Sequence, residues 1–301
     1  MADLLRHRPS GPHRLRALLG GAQPVLAPGA YDAWSARLIE RAGFDAVYMT
    51  GFGTTASLLG RPDVGLLGLS EMVDSARRLV QAVDVPVIAD ADTGYGNAVN
   101  VIRTVQEYEQ AGVAALHLED QVLPKRCGHL ARKQVVPCAE MVGKVTAAVA
   151  ARRDPDLVLI ARTDARAVEG LDAALDRGRA YREAGADMLF IEALEGADEV
   201  ERVAQDLGDV PLLFNWAEGG RTPPLAHRRL AELGYALVIM PISLLLAASR
   251  AMEEALGAIR ADGTPAPLLE RLPAFTGFVE GIGLPEVNAL AERFGAAPTA
   301  G

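Results

Sequence analysis

The sequence predicts an α/β protein, a (β/α)8 TIM-type barrel. Three observations carry this prediction: short apolar runs rich in β-formers, amphipathic segments between them, and a glycine phrase that recurs where those segments end. Eight runs qualify as strands, namely PVLAP (24–28), AVYMT (46–50), PVIADAD (86–92), ALHLED (115–120), LVLIART (157–163), MLFIEA (188–193), PLLFNW (211–216) and ALVIMP (236–241). Continuous apolar runs are typical of parallel strands that are buried on both faces.

The segments between the runs carry helical patterns. The clearest lie at residues 31–42, 70–82, 98–111 and 170–184 and are rich in Ala, Leu, Glu and Arg. The phrases ERAGFDAV, EQAGVAAL, REAGADML and AELGYALV each place a glycine where a helix C-terminus adopts the left-handed conformation, just before the next strand. Eight strands with seven intervening helices and one following helix fit a barrel, and a doubly wound open sheet is the competing arrangement.

The length of 301 residues allows one large barrel or two ordinary domains. Hydrophobic residues make up 50% of the chain, which is ample for a core, and no low-complexity linker divides it. We therefore expect a single barrel domain over residues 1–301, with an N-terminal helix at about 10–20 and a C-terminal helical extension at about 264–297. That extension either caps the barrel or docks on a neighbouring subunit.

Charge and cysteine content exclude several classes of partner. A formal net charge of −9 argues against nucleic acid and against an anionic membrane surface. No run approaches the ~18 apolar residues that a membrane span needs. The Arg-rich N-terminus lacks the apolar core of a signal peptide, and two cysteines give no disulfide framework. We therefore expect a cytoplasmic protein that acts on a small molecule.

Candidate site residues, most of them polar, follow most of the predicted strands, at the edge where barrel enzymes form their active sites. They are Thr50, Gly51 and Phe52 after the second strand, Asp90 and Asp92 at the third, Glu119 at the fourth, Arg162 at the fifth, Glu192 at the sixth, Asn215 at the seventh and Ser243 after the eighth. Acids, a cation and an amide therefore converge on one rim.

The acids at the third and fourth strands predict a metal site. Asp90 and Asp92 flank Ala91, so on a continuing strand their side chains point to opposite faces. Together with Glu119 they offer hard carboxylate oxygens, which suit Mg²⁺ or Mn²⁺. The alternative is that one or two of these acids cap the following helix. We expect His117, on the same strand as Glu119, to contribute packing.

Arg162 ends a very apolar strand, where an unpaired guanidinium would be unfavourable. It is interpreted as a clamp on a substrate carboxylate, held by Glu192 or another rim acid, and a purely structural ion pair is the alternative. The stretch Thr50-Gly51-Phe52 precedes a glycine-containing turn whose backbone N–H groups could bind a carboxylate.

The stretch from 119 to 137, EDQVLPKRCGHLARKQVVP, has no apolar period through its middle. It runs ~17 residues before the next helix, and loops of that length are often lids or binding loops. Lys125 and Arg126 favour the thiolate of Cys127, which together with His129 is suited to proton transfer. Gly128 lets the backbone turn tightly there. A zinc site has too few ligands, and an inert surface loop is the other alternative.

Three motifs carry a family resemblance: DADTGYGN (90–97), HLEDQVLPKRCGH (117–129) and ARTDA (161–165). They resemble the signatures of the isocitrate lyase and phosphoenolpyruvate mutase superfamily, and the resemblance runs from about residue 28 to 241. It implies a (β/α)8 barrel, Mg²⁺, and small 2-oxo or 2-hydroxy carboxylates that pass through an enolate-like intermediate. It also implies a homotetramer, a dimer of dimers in which the helix after the eighth strand is swapped between paired subunits.

The resemblance also implies roles for individual residues. Asp90 would bind Mg²⁺ directly, and Asp92 and Glu119 would bind it through water. The KRCGH loop resembles the lyase branch, in which the cysteine protonates the departing carbanion, although a similar loop occurs in carboxyphosphonoenolpyruvate mutases. Substrate would be held by Thr50, Gly51, Phe52, Gly128, Arg162, Glu192, Asn215 and Ser243. Relatives have a glycine where this chain has Phe52, which leaves the pocket size open.

The function predicted from these residues is Mg²⁺-dependent carbon–carbon cleavage of a 2-alkylmalate or 2-methylisocitrate-like acid. Tyr48 and a metal-bound water are both candidates for the base that removes the hydroxyl proton. The absence of a clear additional set of cations favours 2-alkylmalates over tricarboxylates. The alternatives are a phosphonomutase that forms a C–P bond, an oxaloacetate-type decarboxylase, and a non-catalytic metabolite-binding barrel.

Overall fold

The computed structural model describes Leu5 and residues 10–128 and 132–295. Its eight parallel strands close into a barrel in chain order: β1 (Val25–Ala30), β2 (Val47–Met49), β3 (Val87–Asp90), β4 (Ala115–Glu119), β5 (Val158–Thr163), β6 (Met188–Ile191), β7 (Leu212–Asn215) and β8 (Tyr235–Met240). Strand β1 pairs with β8 as well as with β2, so the predicted barrel is confirmed and the open sheet is excluded.

The helices lie before, between and after the strands. Before β7 they are α1 (Gly11–Leu19), α2 (Ala33–Arg41), α3 (Gly51–Leu59), α4 (Leu69–Ala82), α5 (Ala98–Ala111), α6 (Cys138–Ala151), α7 (Arg166–Glu169), α8 (Leu171–Glu183) and α9 (Ala197–Leu207). After it come α10 (His227–Glu232), α11 (Ser243–Asp262), a 3-10 turn (Ala266–Leu268), α12 (Phe275–Gly281) and α13 (Leu284–Arg293).

The glycine phrases end their helices as predicted. Gly43, Gly112, Gly185 and Gly234 all have positive φ angles, between 81° and 101°. In this region an L side chain would crowd its own backbone, so glycine stops the helix and turns the chain into the next strand.

Two local expectations were wrong. The segment after Thr50 is the first turn of α3 and not an irregular turn, because Thr50 Oγ1 accepts a hydrogen bond from Gly53 N at 3.1 Å and caps the helix. Strand β3 ends at Asp90, and Asp92 has a left-handed backbone with φ of 48°. Strand alternation therefore does not separate the two aspartates, since the strand stops between them.

Two clusters of buried apolar residues stabilise the barrel. The inner cluster fills the barrel itself and includes Ile88, Ile160 and Phe190. Leu15 of α1 belongs to it and is fully buried, so α1 contributes to the barrel interior. The larger outer cluster lies between the strands and the surrounding helices. Strand residues thus point alternately into the barrel and toward the helices.

The described residues fall into two compact units, one within Arg8–Leu245, which contains the barrel, and one within Leu246–Gly301. In the second unit, Glu254 pairs with Arg271 at 2.9 Å. Large apolar side chains of this unit are exposed, among them Met252, Leu256, Phe275 and Phe294. Among the described residues, no helix combines the length and apolar character that a membrane crossing needs. That residues 1–301 form one domain stays a prediction.

Candidate active site

A cavity of about 160 Å3 lies at the carboxyl ends of the barrel strands. Most residues predicted for the site line it: Tyr48, Thr50, Phe52, Asp90, Glu119, Cys127, Gly128, Arg162, Glu192 and Asn215. Gly51, Asp92 and Ser243 are not part of its wall. His129, predicted to act with Cys127, lies outside the described residues.

The strand register places Arg162 directly between Glu119 on β4 and Phe190 on β6. Its guanidinium carbon lies 5.0 Å from the centre of the Phe190 ring, and its Nε lies 3.3 Å from Glu119 Oε2. Asp164 binds it at 3.0 Å and Glu192 at 3.3 Å. Burial opposes the charge, but these three acids outweigh it and raise the pKa of Arg162 well above its ordinary value. The site therefore holds a permanent cation.

Asp90 is held from two sides. Its Oδ2 accepts from Gly51 N at 3.2 Å and its Oδ1 from Asp92 N at 3.0 Å. A Cβ on Gly51 would lie 2.4 Å from Asp90 Oδ2, so only glycine allows this approach. The Gly51 N–H, expected to bind a substrate carboxylate, is therefore directed at Asp90.

His117 does more than pack. It is fully buried in the barrel interior, with Nε2 2.8 Å from Tyr48 Oη and 3.6 Å from Asp90 Oδ1. Burial lowers the pKa of His117 to about 4 and raises that of Tyr48 well above its ordinary value. Both groups are therefore neutral at pH 7, and they form a buried hydrogen bond on the cavity side of β2 and β4.

The negative charge of the buried acids Asp92 and Glu119 is not fully balanced by neighbouring cations. Glu119 Oε1 is buried and has no hydrogen-bond partner. Burial raises the pKa of Glu119 well above its ordinary value and that of Asp92 to about 6. Within the described parts of the chain, no three His, Cys, Asp or Glu side chains form a ready-made metal cage. Hard oxygen donors with unmet charge nevertheless fit Mg²⁺, which keeps several waters and needs only one or two carboxylates.

The stretch from 119 to 137, called the cysteine loop below, enters the site through Lys125. Its ammonium lies 2.6 Å from Asp63 Oδ2 and 2.6 Å from Asp92 Oδ1. Cys127 N donates to the carbonyl oxygen of Asp63 at 3.1 Å, which places the thiol residue on the cavity wall. The sequence reasoning missed Asp63 altogether and gave Lys125 only a role in lowering the thiol pKa. The one signal for Asp63 is an acid in the turn-rich stretch GRPDVG.

Gly128 lies against Arg162 and Glu192. A Cβ at this position would lie 2.4 Å from Arg162 Nη2 and 2.8 Å from Glu192 Cδ. Glycine is thus required here for close approach, and not for the tight turn that the sequence suggested, since the backbone of Gly128 is not left-handed. Any side chain at residue 128 would push the loop away from the guanidinium.

Of the remaining predicted residues, Asn215 lines the cavity and Ser243 contacts a residue that lines it. Asn215 Nδ2 donates to Glu192 Oε2 at 3.1 Å, so the two line the cavity as a pair. Ser243 donates to Glu218, which itself lines the cavity. The apolar part of the wall consists of Phe52, Phe190, Ile239, Pro241 and Ile242.

The chain is similar to known proteins over most of its length. The family model described as phosphoenolpyruvate phosphomutase matches residues 15–260. The chain is 50% identical over 281 residues to 2,3-dimethylmalate lyase of Eubacterium barkeri, covering 93% of this chain and 97% of that protein. It is 45% identical over 269 residues to 2-methylisocitrate lyase of Aeropyrum pernix, covering 89% and 86%.

The chain is also similar in structure to solved proteins over nearly its whole length. A crystal structure of 2,3-dimethylmalate lyase superposes with a TM-score of 0.92 at 40% identity, over 98% of this chain and 99% of that one. Phosphonopyruvate hydrolase, in a complex with oxalate and Mg²⁺, superposes with a TM-score of 0.87 at 34% identity, over 95% and 99%.

Proposed function

Because this chain belongs to the phosphoenolpyruvate mutase and isocitrate lyase superfamily, we propose that its substrate is a 2-alkylmalate such as 2,3-dimethylmalate. The chain is a carbon–carbon lyase of the 2-alkylmalate and 2-methylisocitrate type.

The charge distribution of the cavity supports a dicarboxylate. Among the described residues that line it, the side-chain cations are Lys125 and Arg162, and both are already paired with acids. Part of the wall is apolar, including Phe52 and Ile242. A third substrate carboxylate would meet no further cation there, whereas an alkyl group would be buried favourably. This is the single observation that supports 2-alkylmalates over 2-methylisocitrate as the substrate.

Asp90, with Asp92 and Glu119 acting through water, would hold Mg²⁺. The buried Glu119 Oε1 without a hydrogen-bond partner is the local feature that fits a cation. When bound, the ion supplies positive charge that lowers the pKa of the substrate hydroxyl.

Three side chains, those of Tyr48, Arg162 and Cys127, would then have separate roles in the cleavage. The hydroxyl proton leaves to a base in the cavity, for which Tyr48 and a water molecule are the two candidates; burial raises the pKa of Tyr48 well above its ordinary value, which favours the water. The electron pair of the hydroxyl oxygen forms the carbonyl of the 2-oxo acid. The electron pair of the broken C–C bond forms the enolate of the second acid, which Arg162 stabilises. The Cys127 thiol gives its proton to that carbon and recovers one from solvent.

The test is a substrate panel. Purified protein with Mg²⁺ is incubated separately with malate, 2-methylmalate, 2,3-dimethylmalate, isocitrate and 2-methylisocitrate, and release of 2-oxo acid is followed. We expect release from a 2-alkylmalate, abolished by EDTA and restored by added Mg²⁺. Preference for 2-methylisocitrate would overturn the substrate assignment, and silence across the panel would overturn the substrate class.

We also propose that the C-terminal unit mediates assembly into a homotetramer through exchange of its helices between subunits. Phe275 is 80% exposed and Phe294 66%, and they belong to a larger set of exposed apolar side chains in this unit that includes Met252, Leu256 and Leu269. Extensive exposed apolar surface is typical of an interface. Light scattering should give a tetramer mass for the wild type and a smaller mass for a Phe275→Asp, Phe294→Asp double variant. A monomeric wild type would overturn the proposal.

A further inference from the structure

Lys133 lies in the second half of the cysteine loop and points inward. Its side chain is only 2% exposed, and its ammonium donates to the Gly128 carbonyl oxygen at 2.5 Å and to Asp164 Oδ1 at 2.6 Å. Asp164 in turn binds Arg162 with both oxygens, at 3.0 Å and 3.2 Å. One ammonium therefore joins the peptide next to Cys127 to the acid that holds Arg162.

Asp164, which accepts the hydrogen bond from Lys133, is held firmly in place. Its side chain is fully buried, and its backbone N–H donates to Asp120 Oδ1 at 2.9 Å. Asp120 is itself buried and accepts from Thr163 Oγ1 at 2.7 Å and from Tyr181 Oη at 2.8 Å. The acid that receives Lys133 is thus fixed through Asp120, at the start of the loop, and not through the residues around Cys127.

We propose that Lys133 is a positioning residue of the lyase reaction, which fixes Cys127 relative to Arg162 so that the proton reaches the bound anion. The inference rests on the proposed function, in which Arg162 holds the enolate and Cys127 protonates it. Lys133 contacts the Gly128 carbonyl oxygen and Asp164. It acts through the Gly128 carbonyl, one peptide away from Cys127.

The energetics favour a specific role over general stabilisation. Burying an ammonium is strongly unfavourable unless it is paired, and a loop on a barrel rim could keep its lysine in water. Lys133 is instead paired on both sides, which makes the loop position depend on one side chain. General acid catalysis is sensitive to such placement, since a displacement of about 1 Å can cost on the order of 100-fold in rate.

The experiment compares Lys133→Met with Arg132→Gln, the adjacent exposed cation of the same loop. Each variant is assayed with 2,3-dimethylmalate and Mg²⁺, and alkylation of Cys127 by iodoacetamide is followed by peptide mass spectrometry, which separates it from Cys138. For Lys133→Met we expect kcat to fall ~100-fold with KM within about threefold of wild type. Cys127 should be alkylated ~10-fold faster, because the loop is released. Arg132→Gln should leave both measurements unchanged.

Lys133→Arg is the second variant, since a guanidinium can still bridge the two oxygens and should recover part of the lost kcat. A Lys133→Met variant with wild-type kcat would overturn the proposal. So would an unchanged rate of Cys127 alkylation, or a loss of kcat in Lys133→Arg as large as in Lys133→Met. If the wild type does not cleave the substrate, the proposed function fails, and the alkylation rates alone still decide whether Lys133 places Cys127.

Discussion

Lys125 lies between two buried acids, with its Nζ 2.6 Å from Asp63 Oδ2 and 2.6 Å from Asp92 Oδ1. Burial opposes its charge, but the neighbouring carboxylates, Asp92 first among them, raise the pKa of Lys125 well above its ordinary value. The first half of the cysteine loop is therefore anchored by charge in the same region as the proposed metal ligands.

Removal of this ammonium should destabilise the protein. Lys125→Met leaves Asp63 and Asp92 buried without their partner, and breaking a buried pair from one side costs ~3 kcal/mol or more. Urea unfolding at pH 7.5 measures the loss. Arg126→Gln changes the neighbouring, exposed cation and should shift stability by less than about 0.5 kcal/mol. Equal stability of both variants would show that the two ion pairs contribute nothing.

Cys127→Ser should abolish product formation while leaving the metal site intact. A serine hydroxyl is a far weaker acid than a thiol, so we expect a fall in kcat of ~100-fold or more. Mg²⁺ titration by calorimetry should give the wild-type affinity. Cys138→Ser, at the start of α6, is the matched control and should keep wild-type kcat. Full activity of Cys127→Ser would remove the thiol from the mechanism.

Arg162→Lys should impair anion binding. A lysine keeps the charge but loses the planar fork that now contacts Asp164, Glu119 and Glu192, so kcat/KM should fall on the order of 100-fold. The control is Arg166→Lys, which alters an arginine of α7 that pairs with Glu199. If both variants lose activity equally, the effect reflects general stability and not the clamp.

Phe52→Ala should change which alkyl group the cavity accepts. The ring forms part of the cavity wall, and its removal makes room for a longer 2-alkyl substituent. We expect the ratio of kcat/KM for 2-propylmalate over 2-methylmalate to rise about tenfold. Leu58→Ala removes an exposed side chain from the same helix, α3, and should leave the ratio unchanged. An unchanged ratio in Phe52→Ala would mean that the alkyl group lies elsewhere.

Mg²⁺ binding should weaken in acid. Burial raises the pKa of Asp92 to about 6 in the metal-free protein, so below that pH the ion must displace a proton from a carboxyl group. The Kd should therefore rise up to about tenfold for each pH unit below 6 and change little above 7. Calorimetry in buffers of different ionisation enthalpy reports the released proton. Asp92→Asn should bind more weakly at pH 7.5 and show a smaller pH dependence, because Glu119, whose pKa burial also raises, still competes for a proton.

Much of the fold could be predicted because its signals are local. Residues 98–111 were predicted as a helix and α5 has these bounds, since Asn97 caps its start and Gly112 ends it. The runs of apolar residues predicted the strands, and the number of strands favoured a closed barrel over the competing open sheet. The rim residues then lay together because parallel strands bring their carboxyl ends to one edge.

The contacts that complete the site could not be predicted, because they join distant segments. Nothing near Asp63 in sequence indicates that Lys125, 62 residues away, pairs with it. Asp164 follows β5 directly in the sequence. That it contacts both Arg162 and Lys133 depends on how the loop folds back over the barrel, which the sequence does not indicate. The sequence predicts only packing for His117, because nothing near a histidine in an apolar strand indicates its hydrogen-bond partner.

The cross-strand row of Glu119, Arg162 and Phe190 affects the order in which activity and fold are lost when the protein is destabilised. Backbone pairing of β4, β5 and β6 fixes this row, whereas two lysine side chains fix the thiol end of the site. Mild denaturant should therefore release the loop while the barrel stays intact. Under those conditions the protein would still bind a 2-oxo acid but would no longer turn over substrate, so loss of activity would precede loss of the fold.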